Sequence, residues 1–370
     1  QRLTITVDTI DDVNVVAAGT NGLMAEPGES TAFSISVMNT GNSPSQYQVD
    51  CVSENRWQVM LGGSNSSSLQ FEPLDIREYL PMPIRIFVPP VAQGLPLAGS
   101  TDTITCWVTS LTDASMNHTE VVIVEVKPQR NFKTDLSDDS GPIGPSAIAK
   151  NIAVDGGQQI HLNLSIENTG NLDIDLEVSI QPADPMWALQ ASIGQQSDSR
   201  QVSLSLTPGQ IKVVHFVLGV PVVAIEGDSN SYTVRTERTA QDFRSNTTSL
   251  TVRDELGIEL RAPASGIIET SISSEFSFGE FEIENTGNTG LALNWSHGLA
   301  PDGWVVGYAN PTLWLEVREV KTIRLGFIPP ANSAVTNSAF DLLISVSASN
   351  AGRVVEESGR VVVAILEYVF

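Results

Sequence analysis

Two cysteines, four histidines and two clusters of aspartates are the residues of this 370-residue sequence with the most chemical potential. Cys51 and Cys106 lie 55 positions apart in strand-like stretches, Cys51 in phase with Tyr47 and Val49, Cys106 with Ile104 and Val108. Inward side chains on neighbouring or facing strands can reach the roughly 4.4–6.8 Å Cα separation of a disulfide. Buried free thiols, packing as small hydrophobes, are the alternative. The shared phase predicts the bridge, which an exported protein would form on meeting oxidising conditions.

The aspartates recur as Asp-x-x-Asp-Asp: Asp8, Asp11 and Asp12, then Asp135, Asp138 and Asp139. Calcium gathers several oxygen ligands, so these six are candidate calcium ligands at domain starts. Solvated acidic turns are the other reading, and the third such position, Arg261-Ala262-Pro263, breaks the pattern. His118, His161, His215 and His297 are scattered, with no His-x-His or His-Glu-x-x-His spacing for a zinc site. No Gly-x-Ser-x-Gly elbow or phosphate loop occurs, and Gly62-Gly63 before Ser64 reads as a flexible loop. Carboxylate spacing among 43 acids selects no glycosidase pair. These observations predict a non-catalytic chain without a cofactor. Asn65, Asn117, Asn163, Asn246 and Asn294 are possible glycan acceptors, Asn163 and Asn294 on outward phases of their strands.

Positioning elements emerge from an internal repeat. Asn39-Thr40-Gly41-Asn42, Asn168-Thr169-Gly170-Asn171 and Asn285-Thr286-Gly287-Asn288 each follow an alternating strand and precede a tryptophan at Trp57, Trp187 or Trp304. The preceding strands carry Phe33, Ile35, Val37 and Leu162, Leu164, Ile166 at period two, the mark of a half-buried strand. In the third, Phe281 and Ile283 keep phase while Phe276 and Phe278 do not, which predicts a β-bulge at Gly279–Glu280. The tetrapeptide reads as a turn whose glycine takes positive φ, and the three tryptophans as core. Further strands stop at Pro89-Pro90, Pro221 and Pro329-Pro330, because proline lacks the amide donor. Turn signals recur throughout without a helical period. The pattern predicts an all-β chain of three tandem immunoglobulin-like β-sandwich domains, at 1–127, 128–254 and 255–370.

Strand, Asn-Thr-Gly-Asn, strand, Trp, then Leu206-Thr207-Pro208-Gly209-Gln210 before a strand ending in proline resembles the bacterial and archaeal Ig-like domains of the α-galactosidase-associated (NPCBM-associated) and CARDB families. The second copy fits best; Glu72-Pro73-Leu74-Asp75 and Glu316-Val317-Arg318-Glu319 stand for Thr-Pro-Gly-Gln in the others. The resemblance implies spacer or accessory modules of surface proteins, adhesins and secreted carbohydrate-active enzymes, without catalytic residues.

A net charge of −23, spread over all three units, repels phosphate backbones and anionic lipid, so neither nucleic acid nor membrane is an expected partner. Gln1-Arg2-Leu3-Thr4 lacks a signal pattern and no apolar run approaches a span, so the chain reads as mature or excised. Linkers at Lys127-Pro128 and Asp254–Gly257 are too short for free tumbling. The expectation is a monomeric, semi-rigid extracellular or cell-surface stalk joining flanking domains. The alternatives are an adhesion module binding carbohydrate or a protein partner through Trp107 or Trp314, and accessory domains of a secreted enzyme.

Overall fold

The structure is a computed structural model describing residues 2–143, 150–193, 196–198, 200–272, 275–308, 311–331, 339–350 and 352–365. Every regular element among them is a strand.

Repeat one contains β1 (Val13–Ala18), β2 (Leu23–Ala25), β3 (Ser30–Asn39), β4 (Tyr47–Ser53), β5 (Gln58–Leu61), β6 (Ser68–Gln70), β7 (Tyr79–Phe87), β8 (Thr101–Ser110) and β9 (Asn117–Val126). They form two facing sheets, in the orders β1-β3-β7-β5 and β2-β9-β8-β4-β6. Each strand alternates, as Phe33, Ile35 and Val37 do on β3, so one side of each sheet builds a shared core. The short β2 pairs parallel with β9; the other pairings are antiparallel.

Repeat two runs from β10 (Phe132–Asp138) through β11 (Gly141–Ile143), β12 (Lys150–Val154), β13 (Gln159–Asn168), β14 (Ile174–Pro182), β15 (Ala188–Ile193), β16 (Gln196–Asp198), β17 (Gln201–Leu206), β18 (Ile211–Gly219) and β19 (Ser229–Thr239) to β20 (Asp242–Val252). Its sheets, β11-β10-β13-β18-β15-β16 and β12-β20-β19-β14-β17, repeat the topology with β11 and β16 added at the edges of one sheet. Repeat three is β21 (Ile258–Arg261), β22 (Ile267–Thr270), β23 (Ser277–Asn285), β24 (Leu291–His297), β25 (Val305–Tyr308), β26 (Thr312–Leu315), β27 (Val320–Ile328), β28 (Ala339–Asn350) and β29 (Arg353–Ile365). Its sheets are β21-β23-β27-β25 and β22-β29-β28-β24-β26. Three separate cores follow, one per immunoglobulin-like sandwich.

The bulge expected at Gly279–Glu280 is absent: β23 pairs with β27 in unbroken register from Ser277↔Phe327 to Glu284↔Val320. Gly279 points inward, and Ile268 of the facing sheet fills its place, 2.2 Å from where a Cβ would stand. Phe276 and Phe278 stay on the outer face, where both rings cover Gly326. A bare glycine backbone gives outward rings an apolar bed, so no bulge is needed to hide them. Trp187 is buried, while Trp57 and Trp304 are half-buried against their cores. Trp304 also meets Phe340 edge to face, with centroids 4.9 Å apart.

Candidate functional site

The three Asn-Thr-Gly-Asn turns carry the chain from one sheet to the other, from β3 to β4, β13 to β14 and β23 to β24. Each opens with a fully buried asparagine. Asn39 Nδ2 donates to Ser43 O and Leu74 O, both at 2.9 Å, and its Oδ1 accepts from Gly41 N–H at 2.9 Å. Asn168 repeats this with Leu172 O at 2.8 Å, Leu206 O at 3.0 Å and Gly170 N–H at 2.9 Å. Asn285 does so with Thr289 O, Glu316 O and Gly287 N–H. One side-chain amide thus satisfies polar backbone where the chain leaves a sheet and no ladder is available.

The second asparagine faces the incoming chain. Asn171 N–H donates to Gln129 O at 3.0 Å, its Oδ1 accepts from Gln129 N–H at 2.7 Å, and its Nδ2 donates to Lys127 O at 3.0 Å. Asn288 binds Glu255 O and N–H at 3.0 and 2.7 Å and Arg253 O at 2.9 Å. Asn42 does the same with Ile10 O and N–H at 3.0 and 2.8 Å and Asp8 O at 2.9 Å. Lys127 and Arg253 are the residues directly after the last strands of repeats one and two. The turn is therefore a clamp on the inter-repeat linker.

Its glycine departs from expectation. Gly41, Gly170 and Gly287 do not have positive φ; what they require is an empty Cβ position. A Cβ there would stand 2.4, 2.3 and 2.3 Å from the backbone oxygens of Ile10, Gln129 and Glu255. Around the turn, positive φ is found instead on the facing loop, at Arg77, Gly209 and Arg318. These are equivalent, because the carbonyl of the next residue, Glu78, Gln210 or Glu319, accepts from the N–H of Asn39, Asn168 or Asn285, and the N–H groups of Arg77 and Gly209 also donate to Asn39 O and Asn168 O. The counterpart of Thr207-Pro208-Gly209-Gln210 in repeat one is accordingly Asp75-Ile76-Arg77-Glu78, three residues beyond the expected Glu72-Pro73-Leu74-Asp75. In each, the fourth side chain accepts from the first N–H: Glu78 from Asp75, Gln210 from Thr207, Glu319 from Glu316.

Loops of the preceding repeat complete the junctions. Ala98 N–H donates to Asn171 O at 2.9 Å, and Glu226 N–H to Asn288 O at 3.0 Å. Gln93-Gly94 lies against Pro208-Gly209. At the second junction Thr289 Oγ1 donates to the Glu226 carboxylate and Arg318 donates to Val222 O at 3.2 Å. Arg353 pairs with Asp254 in the linker at 3.1 Å. Arg253 pairs with Asp155, and that hydrogen bond holds the Asp155 carboxyl below the ordinary aspartate range.

Comparison with known proteins adds no family. No family model matches the chain, and no curated protein does. Among solved structures, the protocadherin γB4 extracellular domain is 11% identical and aligns over 96% of this chain and 51% of its own, with a TM-score of 0.42. The chain thus spans about half of that ectodomain. Protocadherin γB2 cadherin domains 3–6 align over 97% of this chain and 78% of theirs at 11% identity and a TM-score of 0.40. A Porphyromonas gingivalis W83 protein of unknown function is 14% identical over 65% of this chain and 99% of its own, with a TM-score of 0.23.

The remaining sequence candidates scatter. Cys51 and Cys106 are directly opposed on adjacent strands β4 and β8 and are bonded, with Cα atoms 4.1 Å apart. The two acidic clusters are not equivalent: the clamp places Asp8 with Lys127 and Arg253, whereas Asp135 lies inside β10. Asp11 accepts from Ser45, Asp12 from Val13 N–H, and Asp138 from Ser140 and Lys150; Asp8, Asp135 and Asp139 are exposed. Among the described residues no three His, Cys, Asp or Glu side chains gather as a metal site. Asn65, Asn117 and Asn294 are exposed, and Asn163 is half-buried with His215 Nδ1 at 2.6 Å from its Oδ1. Asn246 falls on the inward phase with Thr248 and Leu250 and donates to Thr134 Oγ1 at 3.2 Å, so its expectation as a glycan acceptor is corrected: the folded repeat shields it. Trp107 and Trp314 are half-exposed but belong to different repeats, and Trp314 lies over Gly290 with its indole N–H on Glu316 at 2.8 Å. No helix of the described residues is long and apolar enough to cross a membrane.

Proposed function

We propose that the chain is a non-catalytic spacer segment of an extracellular or cell-surface protein, whose clamped junctions set the distance and orientation of the domains flanking it. The supporting observation is the identical clamp at both junctions: a second asparagine making three hydrogen bonds to the linker, and a carbonyl that accepts from a loop of the preceding repeat. Linkers of five residues, each held in this way, have little freedom to bend. The Cys51–Cys106 bridge supports an oxidising compartment. On this reading the segment requires neither cofactor nor nucleic acid, works as a monomer, and is related in role to the NPCBM-associated and CARDB-like modules it resembles.

Small-angle scattering of the 370-residue chain tests the reading. The expected result is a monomer with the maximum dimension of three sandwiches end to end, and a broader distance distribution in the double variant Asn171→Ala, Asn288→Ala. A compact particle, a tight oligomer, or a distribution already broad in the unsubstituted chain sinks it.

A further inference from the structure

The clamp sets a register between the three repeats that extends upstream of each turn. Counting back from the residue whose carbonyl accepts from the second asparagine, Val7 corresponds to Val126 and Val252, Ile5 to Val124 and Leu250, and Leu3 to Val122 and Thr248. The six residues of repeats one and two in this set are all buried, because β9 and β20 are the last strands of their sandwiches. Leu3, Ile5 and Val7 have the same alternation, with Thr4 and Thr6 between, yet they are 86%, 78% and 76% exposed and among the described residues no strand pairs with them. Apolar residues at period two along an unpaired strand have neither a core nor a ladder.

The end of repeat one is also prepared to receive a neighbour. Asn42 holds Ile10 and Asp8 in the way Asn171 holds Gln129 and Lys127. Ile76, half-exposed, occupies the place of Pro208, which packs against Gln93-Gly94 of the preceding repeat. The carbonyls of Asn171 and Asn288 each accept from that preceding repeat.

We propose that residues 3–7 are the last strand of a fourth sandwich of the same type, whose other strands lie upstream on the same polypeptide and which docks on the Asn42 end of repeat one. The same polypeptide is the source because residues 8–12 already follow the course of the two covalent linkers, clamp bond for clamp bond. In that sandwich Leu3, Ile5 and Val7 enter the core and Thr4 and Thr6 face water. This inference does not depend on the spacer reading.

The test compares the polypeptide as its source cell makes it with the 370-residue chain alone, by hydrogen exchange over residues 2–8. Expected is protection by more than about tenfold in the native polypeptide and near-unprotected exchange in the isolated chain. Single substitutions Ile5→Cys and Thr6→Cys, with maleimide labelling of the folded native polypeptide, supply the phase: position 5 labels slowly and position 6 fast. Equal exchange in both proteins overturns the proposal, as does equal labelling at both positions. Protection lost on removing a separate, non-covalently held chain overturns it too.

Discussion

At the scale of single residues, Asp138 shows how charge is used within a repeat. It lies on β10 and receives Lys150 Nζ of β12 at 2.8 Å, so one ion pair joins the two sheets of repeat two. Burial alone would raise the Asp138 carboxyl, but hydrogen bonds from Lys150 and Ser140 outweigh it and hold the group below the ordinary aspartate range. A lowered carboxylate stabilises the fold above its unfolded value, and that contribution is lost as pH falls through the folded value. Asp138→Asn should therefore cost about 1 kcal/mol at pH 7, modest because Lys150 stays partly solvated. The gap from the unsubstituted chain should be narrower at pH 3, below the ordinary aspartate value, and go on closing as pH falls further. Thermal unfolding at both pH values checks it; an undiminished gap at pH 3 refutes the assignment. The disulfide was legible from phase alone, since Cys51 and Cys106 share their inward phase with buried neighbours. That the two acidic clusters occupy inequivalent places was not legible, because a short pattern of aspartates carries no information about register, which hydrogen bonding to distant backbone fixes.

At the scale of elements, the turn was legible and its physics was not. Asn-Thr-Gly-Asn was recognisable as a turn by composition, but its glycine serves close approach of a second chain segment, which no local rule reveals. Gly170→Ala should push a methyl into Gln129 O and Asn131 N, 2.3 and 2.9 Å from the built Cβ. Backbone that is itself held by Asn171 and Thr169 cannot yield without breaking those bonds, so the cost should be about 1–3 kcal/mol. The loss should appear locally, as faster tryptic cleavage after Arg130 in the linker with the far-ultraviolet circular dichroism unchanged. Cleavage at the unsubstituted rate would show that the linker does not need the empty position. The bulge failed for a related reason: Ile268 and Gly326, distant in sequence from Gly279, decide which face the phenylalanine rings take.

At the scale of the whole molecule, three separate cores predict three separable unfolding units. The Cys51–Cys106 bridge closes a loop with a sequence separation of 55 and lies wholly within repeat one. On the chain-entropy account it contributes about 4 kcal/mol, equivalent to a midpoint shift on the order of 10 °C for a unit of this size. Calorimetry of the chain with Cys51→Ala and Cys106→Ala should lower one transition by that amount and leave the other two in place. A common shift of all transitions would mean that the clamps couple the repeats into one cooperative body.

The sequence by itself determined the fold class, the three tandem repeats and the inward phase of most strands. Period-two alternation and repeated turns are local signals that burial enforces one strand at a time. Tertiary structure decided what the turns are for. Clamp asparagines act through backbone at least 32 positions earlier, and the glycine beside each is fixed by an oxygen from that same segment. Hydrogen bonds to a carbonyl are indifferent to the side chain that follows it, so Asp8, Lys127 and Arg253 share one role without sharing one sequence.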